Sequence, residues 1–479
     1  MSVEQAGQAI IFEPTDLQAL RTRLRGKALV PGDEGYNKAR QTWDTETFQQ
    51  YPALVVLPYC TDDVQQAVKF AQKYGLPIGV QGGGHGHPYP VNGAILVNFA
   101  YMSKIQIDAQ KASARVEPGV RSGDVVREAQ SYGLAPLTGF ATTVGIVGYM
   151  LGGGVGWLTR QYGPGAVSIR SAELVTAEGQ VLRVSEKSYP DLLWGLRGGG
   201  GNFGIVTELE LALYPVENIF GGQIVYPIAQ GREVLNAYAQ WIKNLPDELT
   251  SALRIVHFPL APALPPTLRG ASVIQVMACY NGDQSEGEAL LRPMRRTSAS
   301  LLDTFAQIPY AQIASISNDP VESPPYFLTG ETRALRDLVP SDIETLLNAT
   351  GNPAAGLMAE IRQFGGAFAR QEEDSMSFSF RQALFSLTVM AGAPSCDLLG
   401  ERKRAIAALM QKLTPMMTDE ALINLKGNAS EELTRAAYPL AIYQRLAALK
   451  QQYDPQNVFR FNHNIPPCRN KAWMQAADF

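Results

Sequence analysis

Three glycine-dense stretches lie within the first 211 residues: "QGGGHG" at 81–86, "GIVGYMLGGGVGWLTRQYG" at 145–163 and "LRGGGGNFGIVTELEL" at 196–211. No other feature constrains the fold as strongly. Glycine lets a backbone approach another backbone or a ligand with no Cβ between them, and successive N–H groups in a turn form nests that hold anions. Three such stretches in one region suit a large ligand carrying a pyrophosphate. The other reading is a crowded, strand-rich fold full of tight turns. Neither "GGGVGW" nor "GGGGNFG" is a GxGxxG set on a strand-to-helix turn with a following acid, and no GxxxxGKS/T occurs. A NAD-type Rossmann site and a P-loop are therefore not expected.

At 479 residues the chain exceeds one ordinary core, and two domains are expected. The first 215 residues alternate short strands with short helices. In "TDDVQQAVKFAQKYG", Thr61 is placed to cap a helix whose first turn holds Asp62 and Asp63. Val64, Ala67, Val68 and Ala71 then form one apolar face, and Gly75 ends the helix. "LPIGV" reads as a buried strand running into the first glycines. "KIQIDAQKASARVEPGV" and "SAELVTAEGQVLRVS" read as hairpins, the second turning at Glu178-Gly179. Across 216–420 the glycine clusters thin out. Amphipathic segments and strand-like runs ("SVIQVMACY", "SFSFRQALFSLTVM") there predict a sheet with helices on one side. Residues 421–479 hold a helix, "YPLAIYQRLAALKQQY", followed by "DPQNVFRFNHNIPP".

Several function classes are disfavoured. Net charge is −4 with no basic run, so nothing points to nucleic acid or to an anionic membrane. No apolar run reaches the roughly 18 residues of a membrane helix, and the N-terminus lacks a leader pattern, so the expected location is cytoplasmic. Cys60, Cys279, Cys396 and Cys468 are scattered without a CxxC and read as free thiols. His85 and His87 are two of only four histidines, but no cluster of further donors completes a metal site near them. Oligomeric state is not legible.

Taken together, "DDVQQAVKFAQKYGLPIGVQGGGHG", "GIVGYMLGGGVGWLTRQYG", "DLLWGLRGGGGNFGIVTELEL" and "YQRLAALKQQYDPQNVFRFNHNIPP" resemble, in order and over nearly the whole chain, a known flavoprotein family. It is the vanillyl-alcohol oxidase (PCMH-type) family, in its berberine-bridge-enzyme-like branch. The resemblance implies an α+β fold with a two-part FAD-binding domain, residues 1–215 and 421–479. A substrate domain, residues 216–420, is inserted between them as an antiparallel sheet covered by helices. It also implies that His85 is joined covalently to the flavin 8α carbon, a role that suits a neutral imidazole. Gly82, Gly83 and Gly84 would offer N–H groups to the pyrophosphate. Gly86, Gly145, Gly148, Gly152, Gly153, Gly154, Gly204 and Val206 fall in the matching cofactor segments, and Asn462 and Asn464 in the tail segment near the isoalloxazine. His87 has no matching covalent role and reads as a loop residue.

Two positions depart from the family pattern. Ala141 stands where many members carry a second, cysteinyl tether, and it has no thiol, so a single link is implied. Gln81 stands where arginine is common. Val144 occupies the site at which small residues accompany oxidases and leucine accompanies dehydrogenases. The implied reaction is hydride transfer from a C–H of a small alcohol or amine to FAD, with dioxygen reduced to hydrogen peroxide. The protein would orient the substrate and remove a proton. Glu360 is the candidate base; on a strand it shares one face with Arg362, so a plain surface ion pair is the other reading. Tyr438 is the second candidate, although its ordinary pKa near 10 requires help. A dehydrogenase with another acceptor, or a flavin-bearing scaffold without redox turnover, would carry the same motifs.

Overall fold

The computed structural model describes residues 11–86, 89–372, 374–427 and 430–468. Short apolar runs punctuated by turns produce three main sheets. The first has four strands in the order Lys27–Leu29, Leu54–Leu57, Ile95–Asn98, Ile78–Gln81, with the last three parallel. Its strand Leu54–Leu57 is apolar throughout because both faces are covered, as parallel strands require. Leu54 and Val56 pack with Val64, Ala67 and Val68 of the helix Thr61–Tyr74, and Val55 and Leu57 with Tyr36 and Val91.

That helix carries the expected apolar face and ends at Gly75, whose φ of +64° is left-handed. Its start differs from the sequence reading. Cys60 precedes the first helical residue, and the Thr61 hydroxyl donates to Glu173 Oε1 at 2.8 Å instead of capping. The buried Asp63 carboxylate accepts from the N–H groups of Tyr59, Arg25 and Gly26 at 2.8–2.9 Å, and Thr61, already helical, is past the cap position.

The second sheet is antiparallel and runs Ile105–Asp108, Ser113–Val116, Ile205–Ala212, Ile169–Val175, Val181–Ser185. It contains both expected hairpins, and Gly179 turns the second with φ +77°. The third sheet runs from Leu302–Asp303 through Asn218–Pro227, Ser272–Tyr280, Leu249–His257, Leu357–Gln363 and Phe385–Ala393 to Phe327–Leu335, all antiparallel. Period-2 alternation gives this sheet two unlike faces. Leu253, Ile255, Ile274, Val276, Ala359, Ile361, Leu387 and Val389 form one core with residues of the helices Gly231–Trp241, Pro340–Thr350 and Cys396–Lys412. On the other face, register aligns Gln275, Arg254, Glu360, Thr388 and Thr332 in a polar row across five strands. Ala252 and Met277 of that same face pack into the core of the glycine-rich half.

The chain's end returns to its beginning. Val458 O accepts from Ile78 N at 2.9 Å, and Phe459 is buried among Leu54, Val97 and Ile78. Arg160, 7% exposed, ties the glycine-rich half to the large sheet by donating to the carbonyls of Leu249, Phe364, Leu245 and Pro246. Among the described residues no helix is long and apolar enough to cross a membrane.

Candidate flavin site

The strand Ile78–Gln81 delivers the first glycine stretch against the second. A Cβ on Gly83 would lie 2.5 Å from Gly145 N, and one on Gly145 would lie 2.5 Å from Gly83 N. The two stretches thus meet backbone to backbone, which only glycine permits. A Cβ on Gly82 would lie 2.6 Å from Pro118 O, whereas one on Gly86 or Gly148 would have nothing within 4 Å among the described residues. Gly84 O accepts from Trp43 N at 2.6 Å, which brings the indole against His85 with ring centroids 4.7 Å apart. Burial holds the His85 pKa below its ordinary value, against the opposing pull of Asp319, so the ring is neutral at pH 7. Its Nδ1 is buried without a hydrogen-bond partner among the described residues. His87 lies outside the described residues. Gln81 is itself structural: it donates to Gln41 O at 2.8 Å and accepts from Gln50 Nε2 at 3.0 Å.

The remaining glycines divide by what lies beside them. Asn424 fills the space at Gly152, the Phe378 ring that at Gly153, and the Tyr149 ring that at Gly154. A Cβ on Gly204 would lie 2.5 Å from Leu174 Cδ1, so this glycine allows two strands to pack closely. Val206 turns its side chain into the same core, 4% exposed. Val144 is partly buried, and its carbonyl accepts from Ser122 N at 2.9 Å.

The tail closes the third stretch. Asn462 Nδ2 donates to Gly201 O and Phe459 O, both at 3.1 Å. Asn202, which sequence reading did not single out, donates to His463 O and accepts from Ile465 N. Lys450, also missed, is wholly buried and donates to Asn202 O, Phe459 O and Asp454 Oδ2. The one local signal for it was the Lys-to-Asp spacing of four at the helix end. Tyr438 donates to Gly198 O at 3.0 Å, and burial raises its pKa far above the usual phenol range.

The buried and unpartnered side-chain atoms include His85 Nδ1, Ser122 Oγ, Thr143 Oγ1, Asn462 Oδ1 and Asn464 Oδ1. Folded proteins leave few such groups unsatisfied. These five come from the first glycine stretch, from residues 122 and 143 ahead of the second, and from the tail, and they fit a large polar ligand such as FAD. On the large sheet, Glu360 is 3% exposed. Both its oxygens are engaged: Arg254 Nε donates at 2.6 Å and Arg362 Nε donates to the other. Burial by itself would raise the carboxyl pKa, but the two guanidiniums hold it below the usual carboxylate range. Arg254 also donates to Asp319 Oδ1 at 2.8 Å and to Ser317 O at 3.1 Å. Neither Arg254 nor Asp319 stood out in the sequence.

The comparisons agree with this geometry. The FAD binding domain family matches residues 52–185, and the berberine and berberine-like family matches residues 423–466. (R)-6-hydroxynicotine oxidase of Paenarthrobacter nicotinovorans is 30% identical over 464 residues, 93% of this chain and 97% of that protein. The crystal structure of 6-hydroxy-D-nicotine oxidase from Arthrobacter nicotinovorans superposes with a TM-score of 0.82 at 27% identity, covering 93% and 98% of the two chains. The BBE-like 1 protein of Physcomitrella patens shares the fold, with a TM-score of 0.82 at 21% identity over 95% and 100%. A PCMH-type α+β fold with two glycine stretches in backbone contact defines a FAD-linked oxidoreductase. Within that class the chain belongs to the berberine-bridge-enzyme-like family.

Proposed function

We propose that this protein is an oxidase of a small alcohol or amine, with FAD held by a single covalent link to His85. Residues 1–215 and 421–479 form the FAD domain in this reading, and 216–420 the substrate domain. One observation carries it. A half-buried, neutral imidazole whose Nδ1 is buried and unpartnered among the described residues stands where two glycine stretches touch backbone to backbone. A neutral imidazole nitrogen with a free lone pair is a competent nucleophile. Ala141 supplies no second nucleophile, and the small Val144 side chain leaves room for dioxygen.

Bound FAD supplies the two-electron acceptor. The residues of the chain do the rest. The polar row of the large sheet orients the substrate, and Glu360 accepts the proton leaving its O–H or N–H. The two arginines keep Glu360 in the ionised form that acceptance requires while lowering its basicity. Tyr438, kept protonated, holds Gly198 of the third glycine stretch. Overall a CH–OH or CH–NH becomes C=O or C=N, and dioxygen takes up two electrons and two protons as hydrogen peroxide. Val144 favours this oxidase reading over a dehydrogenase, and peroxide formation under air separates the two.

Intact mass after acid denaturation tests the link, on wild type and His85→Ala. An adduct of one FAD less two hydrogens in wild type, absent from the variant, is expected. A yellow protein that releases all its FAD removes the covalent link, and a colourless one removes the oxidase.

A further inference from the structure

The polar face of the large sheet holds four charges, and only one of their groups has hydrogen-bonding capacity left over on a broad edge. Both Glu360 oxygens are engaged by guanidinium groups. Asp319 is engaged by the same Arg254, which also donates to Ser317 O. Arg362 is different. Its Nε donates to Glu360, and its terminal nitrogens have no partner among the described residues. The guanidinium carbon lies over the Phe140 ring, 4.3 Å from the centroid, with 18% of the side chain exposed. Phe140 is one residue before Ala141, in the segment leading to Val144, so Arg362 reaches from the large sheet to the flavin half.

The neutral groups around Arg362 are one donor-only indole and two hydroxyls able to donate. Trp157 meets Phe140 edge-on at 4.5 Å, and its Nε1 is buried without a partner. Ser386, directly opposite Arg362 in the strand register, has a buried, unpartnered hydroxyl. The Tyr149 hydroxyl, on which the Arg362 charge also acts, is buried and unpartnered as well. Such a surface recognises acceptors. A free guanidinium edge matches a planar carboxylate with two parallel N–H···O bonds.

We propose that Arg362 determines substrate specificity: the alcohol or amine oxidised here also carries an anionic oxygen group, a carboxylate, which docks on the free edge of Arg362. An ammonium group would meet Glu360 with both oxygens already held by guanidinium groups and Asp319 with one oxygen held by Arg254. This rests on the substrate site facing the FAD half, as in the oxidase reading above.

The test is titration of the holoprotein with benzoate, benzamide and benzylammonium. The flavin visible band and tryptophan fluorescence are followed in parallel. Benzoate is expected to bind at least about 10-fold tighter than the other two. Arg362→Gln is expected to weaken benzoate roughly 10- to 100-fold and to leave benzamide unchanged. Arg362→Lys keeps a charge beside Glu360 but loses the fork. It is expected to fall between, and it carries the comparison if the glutamine variant does not fold. Benzylammonium binding as tightly as benzoate, benzamide equalling benzoate, no saturable benzoate response, or Arg362 variants with wild-type benzoate affinity would each overturn the proposal. A colourless protein that still quenches with benzoate in an Arg362-dependent way would sink the flavin reading alone.

Discussion

Lys450→Met is the most informative single change for how the tail is held. In the wild type the ammonium group is wholly buried between Asp454, Asn202 O and Phe459 O, at 2.6, 2.8 and 3.0 Å. Burial pulls its pKa down to about 8 against the opposing pull of Asp454, so the group is still charged at pH 7. Methionine keeps most of the volume and removes the charge. Asp454 retains its donors Val458 N and Phe459 N, at 2.7 and 2.9 Å, but loses its counter-charge. Phe459 O retains Asn462, whereas Asn202 O loses the Lys450 donor. Breaking a buried pair by removing one partner costs about 3–5 kcal/mol, a large part of the ~5–15 kcal/mol typical of a folded protein. Urea unfolding at pH 7, followed by tryptophan fluorescence, measures it. The double variant Lys450→Met/Asp454→Asn no longer strands a charge and is expected to recover about 1–3 kcal/mol. A single variant within ~0.5 kcal/mol of wild type, or a double variant less stable than the single, would refute the assignment of the tail anchor to this pair.

Two further outcomes follow from the site. Gly83→Ala forces a Cβ to within 2.5 Å of backbone at Gly145, which cannot yield as a side-chain tip can. It should lower flavin content, read as the 450 nm to 280 nm absorbance ratio, at a cost of about 1–3 kcal/mol, and an unchanged ratio would remove the backbone contact from the site. Glu360 has a folded pKa below its unfolded value near 4.5, so its contribution to stability is complete above that pH and is lost as pH falls toward the folded value. The wild-type melting temperature should therefore fall below about pH 4.5, and Glu360→Gln, less stable at pH 7 because it leaves Arg362 without a counter-charge and Arg254 with Asp319 alone, should flatten that segment. An unaltered slope would remove the pairing with Arg254 and Arg362.

Much of the fold was readable because its signals are local. The helix Thr61–Tyr74 shows its apolar face within one turn's spacing, and both hairpins announce themselves by alternation and turn residues. The Thr61 cap was misread because the helix begins at Thr61 itself and its hydroxyl finds Glu173, 112 residues away in the second sheet. Glu360 and Arg362 were placed on one face by strand periodicity alone. That the face is covered, and that Arg254 comes from a strand 106 residues away to pair with Glu360, follows only from sheet register.

The sequence by itself determined that backbone must approach something closely at three places, and that a histidine, with no cysteine at position 141, stands at the first. Those are properties of residue type: a missing Cβ and a nucleophilic ring are present before folding. Tertiary structure decided what each glycine approaches. Gly83 meets Gly145, whereas Gly152, Gly153 and Gly154 make room for Asn424, Phe378 and Tyr149. It also decided which charges survive with capacity to spare, leaving Arg362 an open edge while Glu360 is engaged on both oxygens. Steric freedom is local and can be read from the chain, but the satisfaction of a charge depends on neighbours that only folding brings within 3 Å.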